Sequence, residues 1–394
     1  MNQLFMLNPL LDGLNAEQAE AVTSTEGPVL VIAAPGSGKT AVLTKRLAHL
    51  LREGVAPESL MALTFTKKAA LEMEARLFKI LGSKEKLKKL TIGTFHSIGL
   101  RLLEGNYPQL GFTTEKPHLL LSATQRALFQ AIVRENGCED LRFGDLAAYI
   151  SQYKSRMIAP HEVSKVSADP DEGRMAHCYA AYQERLLKQN LIDFDDQILL
   201  PVRLMERSEE VRKRIQERYR YVLVDEYQDT NKAQYCFLKA IAAPQNNLFA
   251  VGDDAQGIYG FRAADLDNIL NFRTDYPAAR QILLQTNYRS ASPIIALANN
   301  LIRHNARQVP KTIKASRPAA GSLVRRYQAL DSFGEAEEVV KEIKELIAKG
   351  IKTDEIAVLY RTHAQSALLV ERLIEEEIPF SVKKSGNFYE RPEI

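Results

Sequence analysis

The stretch Val29-Leu30-Val31-Ile32-Ala33-Ala34-Pro35-Gly36-Ser37-Gly38-Lys39-Thr40 constrains the fold most, because an apolar run breaks there into a small-residue loop closed by Gly-Lys-Thr. The apolar run fits a buried strand, and Val42, Leu43, Leu47 and Leu50 give the next segment helical periodicity. Strand, loop and helix in that order read as a phosphate cradle, with a glycine-containing turn in an ordinary α/β unit as the minor alternative. In this reading Ala33, Ala34, Pro35, Gly36, Ser37 and Gly38 close backbone amides on an oligophosphate. Lys39 then meets its β- and γ-phosphates, and the Thr40 hydroxyl meets Mg²⁺. The usual pattern has Gly where this chain has Ala33, so the strand-loop-helix context carries the reading.

A chain of 394 residues is long enough for two or three domains. A net charge of +3 permits nucleic-acid binding without arguing for it. Cys138, Cys178 and Cys236 have no paired spacing, which excludes a disulfide framework and gives no zinc signature. Met1 to Leu7 lacks a basic flank and a long apolar core, and no stretch approaches membrane-spanning length. A cytoplasmic protein with no membrane contact is expected.

Upstream of the cradle, Asn15 can cap a helix on which Gln18 is either solvated surface or an amide offered to a purine edge. Downstream, Leu60 to Thr66 and Thr91 to His96 read as strands around a helix from Lys67 to about Leu81. The basic run Ser83 to Lys89 reads as a solvated loop, with a phosphate contact as the minor alternative. From about Gly105 to Leu200 the strand-helix rhythm gives way to helices, including Ala123 to Glu135 and Met175 to Gln189. It resumes at Tyr221 to Glu226, Asn247 to Asp253 and Gln281 to Leu284, which predicts a parallel sheet with a helical insertion. Beyond a helix around Pro293 to His304 and a connector from Pro310 to Gly321, a second α/β pattern begins. Its expected strands are Leu323 to Gln328, Ile356 to Tyr360 and Ile378 to Val382, and its expected helices are Glu335 to Lys349 and Gln365 to Glu377.

Val222 to Glu226 is an apolar strand ending in two carboxylates. Beside a phosphate cradle, Asp225 is placed to hold Mg²⁺ and Glu226 to orient and deprotonate the attacking water. In Gly252 to Arg262, Gln256 can sense a γ-phosphate and Arg262 can meet a nucleic-acid phosphate. Tyr259 and Phe261 offer faces to unpaired bases, and composition leaves base stacking and core packing equally open for them.

These blocks resemble, in order along essentially the whole chain, the UvrD, PcrA and Rep type of superfamily 1 DNA helicases. The resemblance runs through Leu14 to Gln18, Ala33 to Thr40, Leu63 to Ala70, Gly93 to Ser97, Asp193-Phe194-Asp195-Asp196, Asp225 to Asn231, Val251 to Arg262 and Thr286-Asn287-Tyr288-Arg289-Ser290. It implies ATP and Mg²⁺ as cofactors and 3′-to-5′ movement on single-stranded DNA. It also implies action at junctions of single and double strands, with repair or replication proteins as candidate partners.

The implied architecture is a RecA-like lobe with a parallel sheet (1–104 and 201–280), an all-helical insertion (105–200) and the start of a second RecA-like lobe (281–394). By the same resemblance Gln18 reads adenine, Tyr288 stacks on the base, Arg289 reaches the γ-phosphate and Gln256 couples that phosphate to DNA. Thr64, Phe65, Thr66, His96, Tyr259, Phe261 and Arg262 line the DNA track.

Three positions depart from the family pattern: Ala34 for Gly, Ala41 for Arg and Phe261 for Trp. The segment up to Ile394 resembles the one just before the family's second inserted domain. The chain is therefore expected to bind ATP and DNA, to hydrolyse slowly and not to unwind. An ATP-responsive binding module that is not a motor and a helicase-nuclease subunit remain the alternatives.

Overall fold

The computed structural model describes residues 9–163, 170–319 and 324–382. Its centre is a six-stranded, all-parallel sheet. In chain order the strands of the molecule are β1 (Val29–Ala33), β2 (Leu60–Thr64), β3 (Thr91–Thr94), β4 (His118–Leu119), β5 (Leu191–Ile192), β6 (Tyr221–Val224), β7 (Leu248–Gly252), β8 (Arg280–Leu284), β9 (Thr286–Ala291) and β10 (Lys314–Arg317). The main sheet runs β3-β2-β6-β7-β1-β8, while β4 pairs β5 and β9 pairs β10.

Alternation along the strands explains why the sheet is sealed on both faces. Leu30, Ile32, Leu63, Val222 and Val224 enter one core, and Val29, Val31, Ala62, Leu223 and Val251 enter the other. Helices α1 (Ala16–Thr23), α2 (Lys39–Arg52) and α3 (Lys67–Leu81) cover the second core. Helices Phe95–Leu103, Asp196–Arg207 and Lys232–Ala242 cover the first.

The insertion over 105–200 is not all-helical, because β4 and β5 pair in parallel within it, where His118 and Leu119 meet Leu191 and Ile192. Its own core is built from Phe129, Ile132, Tyr149, Ile150, Tyr179 and Tyr182 among others. Cys138 and Cys178 meet inside it, and burial pushes the Cys178 thiol up to about 12. Lys154, on helix Phe143–Ser155, is fully buried with Nζ 2.6 Å from Asp193 Oδ2 and 2.8 Å from Asp196 Oδ1. The Tyr182 hydroxyl donates to the same Asp193 oxygen at 3.1 Å.

The chain forms two compact units, residues 1–322 and 323–394. The sequence boundary at 280/281 falls at the start of β8, which ladders onto β1, so the first unit runs on past it. In the second unit, helices Ser332–Ala348 and Ser366–Glu375 close around Val340, Ile343 and Leu373. The strands expected at Leu323 to Gln328, Ile356 to Tyr360 and Ile378 to Val382 are not formed among the described residues, and Leu323 lies outside them. Such runs need a neighbour to ladder with, and apolarity alone does not supply one.

Two further expectations are corrected. Lys84–Lys89 is a short helix rather than a loop, because Ser83 caps it and Glu85 sits in its first turn. The connector contains β10, paired in parallel with β9.

Candidate active site

The carboxyl ends of β1, β6 and β7 share one rim of the sheet, the crevice where α/β proteins place ligands. From β1 the chain reverses through Ala34 to Gly38 into α2. Gly36 and Gly38 hold φ of +66° and +88°, and a Cβ on Gly36 would lie 2.8 Å from the Arg289 Cβ, so glycine is needed there. Ala34 is not among the positive-φ residues, which is why alanine is tolerated in its place. Gly38 caps α2 without a side-chain bond, so the first N–H groups of that helix are left without a side-chain acceptor from the cap. The Ser37 hydroxyl is buried with no partner. An open helix terminus and an orphaned hydroxyl in one loop fit a bound oligophosphate.

Lys39 is the first residue of α2, and its Nζ lies 2.7 Å from Glu226 Oε2. Glu226 sits just past β6 with φ +51°, a left-handed turn that sends it away from Asp225. The Glu226 N–H donates to Asp225 Oδ1 at 3.0 Å. Burial, then the Glu226 charge, pushes the Asp225 carboxyl up to about 6. The same two causes push Asp229 up to about 6, and its Oδ1 has no partner. Burial and the Glu226 charge outweigh the nearby Lys39 ammonium at both acids, and a divalent cation would relieve that imbalance. Thr40 and Asp225 are the residues that would hold Mg²⁺. Among the described residues no group of three or more His, Cys, Asp or Glu is arranged around a metal, so such a cation would lean on phosphate oxygens.

The sequence assigned no role to Gln228, which joins the β6 and β7 ends. Its Nε2 donates to Glu226 Oε2 at 2.9 Å, and its Oε1 accepts the Asp253 N–H at 2.9 Å. Gln256 donates its amide to Asp253 Oδ2 at 2.8 Å. Position two residues after Glu226, in the turn that follows the acidic pair, was the only available signal.

Gln18 and Asn15 form a reciprocal capping box at the start of α1. Gln18 Nε2 also donates to the Ser37 carbonyl at 2.8 Å, so this side chain is fastened to the loop. Asn15 Nδ2 donates to the Tyr288 hydroxyl at 3.1 Å, and the Tyr288 N–H donates to the Gly36 carbonyl at 3.0 Å. Asn287 is buried, donates to the Pro35 carbonyl, and accepts the N–H groups of Arg289 and Ser290 at 2.8 and 2.7 Å. Tyr288 and exposed Arg289 therefore stand against the loop, held by an asparagine to which sequence reasoning gave no part.

The residues expected on a DNA track divide. Thr64 is buried and its hydroxyl donates to the Thr66 carbonyl at 3.1 Å; as the last residue of β2 it braces the turn instead of facing a ligand. Thr66 is exposed and caps α3. Phe65 is half-buried, edge-on to Phe95 with centroids 5.6 Å apart. Tyr259 and Phe261 are exposed, 38% and 72%, with rings 5.8 Å apart, so core packing does not account for them. The Arg262 side chain lies outside the described residues. His96 stacks on Phe194 at 3.7 Å with planes 24° apart, and burial lowers its pKa to about 4. Phe194 is 59% exposed, an aromatic face that the sequence quoted but did not assign.

Comparison with known proteins adds a family. Residues 14–277 match the UvrD/REP helicase N-terminal domain, and residues 282–394 match the UvrD-like helicase C-terminal domain. The ATP-dependent DNA helicase PcrA of Staphylococcus epidermidis is 40% identical over 392 residues, 98% of this chain and 53% of that protein. PcrA of Staphylococcus aureus is 38% identical over the same shares. The chain thus spans about half the length of these curated relatives.

Proposed function

The chain belongs to the UvrD/REP helicase family, and from that premise we propose that it binds ATP and single-stranded DNA as part of an ATP-dependent helicase moving 3′ to 5′. The Lys39–Glu226 pair carries the reading. Terminal phosphates entering the loop compete for the Lys39 ammonium. Its departure frees the Glu226 side chain, still held by Gln228, to accept a proton from the water that attacks the γ-phosphorus. Thr40 and Asp225 would hold Mg²⁺, which would supply positive charge to the phosphate oxygens. Arg289 meets the γ-phosphate, Tyr288 stacks on the base, and Gln18 offers adenine the hydrogen-bonding capacity its present contacts leave over. The Ala33 to Gly38 backbone wraps the phosphates, and Gln256 reports their state to the DNA side.

On that side Phe65, Thr66, His96, Tyr259, Phe261 and Arg262 line the track, and Phe194 joins them. Stacking on such faces is worth about 1–3 kcal/mol per base. Junctions of single and double strands, cytoplasmic location and a role in repair or replication belong to the same proposal. Among the described residues no helix is long and apolar enough to cross a membrane.

The test is binding of a fluorescent ATP analogue and of labelled oligo-dT, followed by ATP hydrolysis with and without the oligonucleotide. Binding of both, with the nucleotide lost in Lys39→Ala, is expected. A chain that binds neither rejects the reading.

A further inference from the structure

The contacts that begin at the phosphate loop do not end at Gln256. Lys311 comes from the segment between helix Ser292–Ile302 and β10, and its ammonium is buried. It lies 3.2 Å from Asp253 Oδ1 and is paired with Asp254 Oδ1. Asp254 Oδ2 accepts the Val309 N–H at 2.8 Å. Asp253 is filled as well: Oδ1 also takes the Ala255 N–H at 3.2 Å, and Oδ2 takes the Gln256 amide. Both carboxylates are buried, so removal of the lysine would leave adjacent acids in a dry turn without their counter-charge. The same turn leads on to the exposed rings, with the Ile258 N–H donating to the Gln256 carbonyl at 2.8 Å.

We propose that Lys311 is a positioning residue that couples the nucleotide site to the aromatic pair Tyr259 and Phe261. The inference rests on the functional reading above. The route is a continuous series of polar contacts: Lys39 to Glu226, Glu226 to Gln228, Gln228 to the Asp253 N–H, and Asp253 with Asp254 to Lys311. When Lys39 turns from Glu226 to a phosphate, Gln228 remains as the side-chain donor to the shared Glu226 oxygen, follows that carboxylate as it resettles, and carries the shift to Asp253 through the Asp253 N–H. A loose turn would absorb that displacement locally. A turn whose two acids are clamped by one buried ammonium moves as a unit and carries Tyr259 and Phe261 with it.

The test is a two-ligand binding cycle on the whole chain. Affinity for fluorescein-labelled oligo-dT is read by anisotropy with and without a non-hydrolysable ATP analogue and Mg²⁺. The ratio is the coupling factor, which linkage makes identical in the reverse direction. Wild type is expected to show about fivefold coupling or more, and Lys311→Met to fall within about twofold of unity while each ligand alone binds within about threefold of wild type. Lys311→Arg, which keeps the charge, should restore most of the ratio. Lys311→Met that unfolds cooperatively and keeps the wild-type ratio overturns the proposal. Should that variant not fold, Asp254→Asn is read in the same cycle: a reduced ratio supports the clamp and a wild-type ratio overturns it. A wild-type chain that binds neither ligand overturns the functional reading, and the inference with it.

Discussion

Lys39 Nζ and Glu226 Oε2 lie 2.7 Å apart, so the cradle's lysine and the acid beyond β6 form an ion pair. Glu226→Gln removes the competing charge and the proton acceptor together. The fluorescent ATP analogue should then bind at least as tightly as in wild type, while hydrolysis falls by about 10²–10⁴. Titration of the analogue and a steady-state ATPase assay check both. Hydrolysis at the wild-type rate would remove Glu226 from the role of base.

Asp225 gives a pH signature. Burial and Glu226 raise its carboxyl from 3.8 to about 6, so the folded chain binds this proton more tightly than the unfolded chain does. Its contribution to stability is therefore complete below 3.8 and is lost as pH rises to about 6. Across that window wild type should lose roughly 3 kcal/mol relative to Asp225→Asn, whose amide oxygen can still accept the Glu226 N–H. Urea unfolding of both proteins over pH 4–7 measures the difference, and a pH-independent gap contradicts the assignment.

Lys154 makes a separate prediction within the insertion. Burial opposes its charge, but Asp193 and Asp196 outweigh that effect and hold its pKa above the usual lysine value. Lys154→Met leaves the two acids buried without a partner and should cost about 3–5 kcal/mol by urea unfolding. Neutralising both acids in the same chain should recover a large part of the loss. A cost of the size seen for exposed ion pairs would show that water reaches this site.

Phe194 covers the His96 ring, so Phe194→Ala should raise the His96 pKa from about 4 toward 6.5, read by the pH dependence of its ring protons. The same variant should weaken oligo-dT binding by about 1–3 kcal/mol. Unchanged binding would confine Phe194 to shielding the histidine.

What could be read in advance follows from where each signal is stored. The phosphate loop and the Asp225-Glu226 pair are local, since a few adjacent residues dictate both backbone and chemistry. Gln228, Asn287, Lys311 and Lys154 act on partners far along the chain, and one sequence offers no means of pairing them. Gln18 shows the middle case: the cap at Asn15 was visible three residues before it, but neither the reciprocal bond that Gln18 makes to the Asn15 N–H nor its bond to the Ser37 carbonyl was. The second unit erred the other way. Its apolar runs have strand composition, yet pairing belongs to neighbours rather than to the run itself. Conversely β9, spelled Thr-Asn-Tyr-Arg-Ser-Ala, has too little apolar alternation to announce a strand.

The neighbours of β1 set an order of events during synthesis. It does not touch β2 or β3; its ladders are with β7 and β8, and the Gly27 N–H before it bonds Asn247 Oδ1 across 220 residues. A nascent chain carrying the whole phosphate loop thus has nowhere to dock the strand that bears it until β7 leaves the ribosome. The loop-closure entropy of that long connection falls on the nucleotide site itself. Translation products that stop short of Leu248 should contain every loop residue and bind no nucleotide.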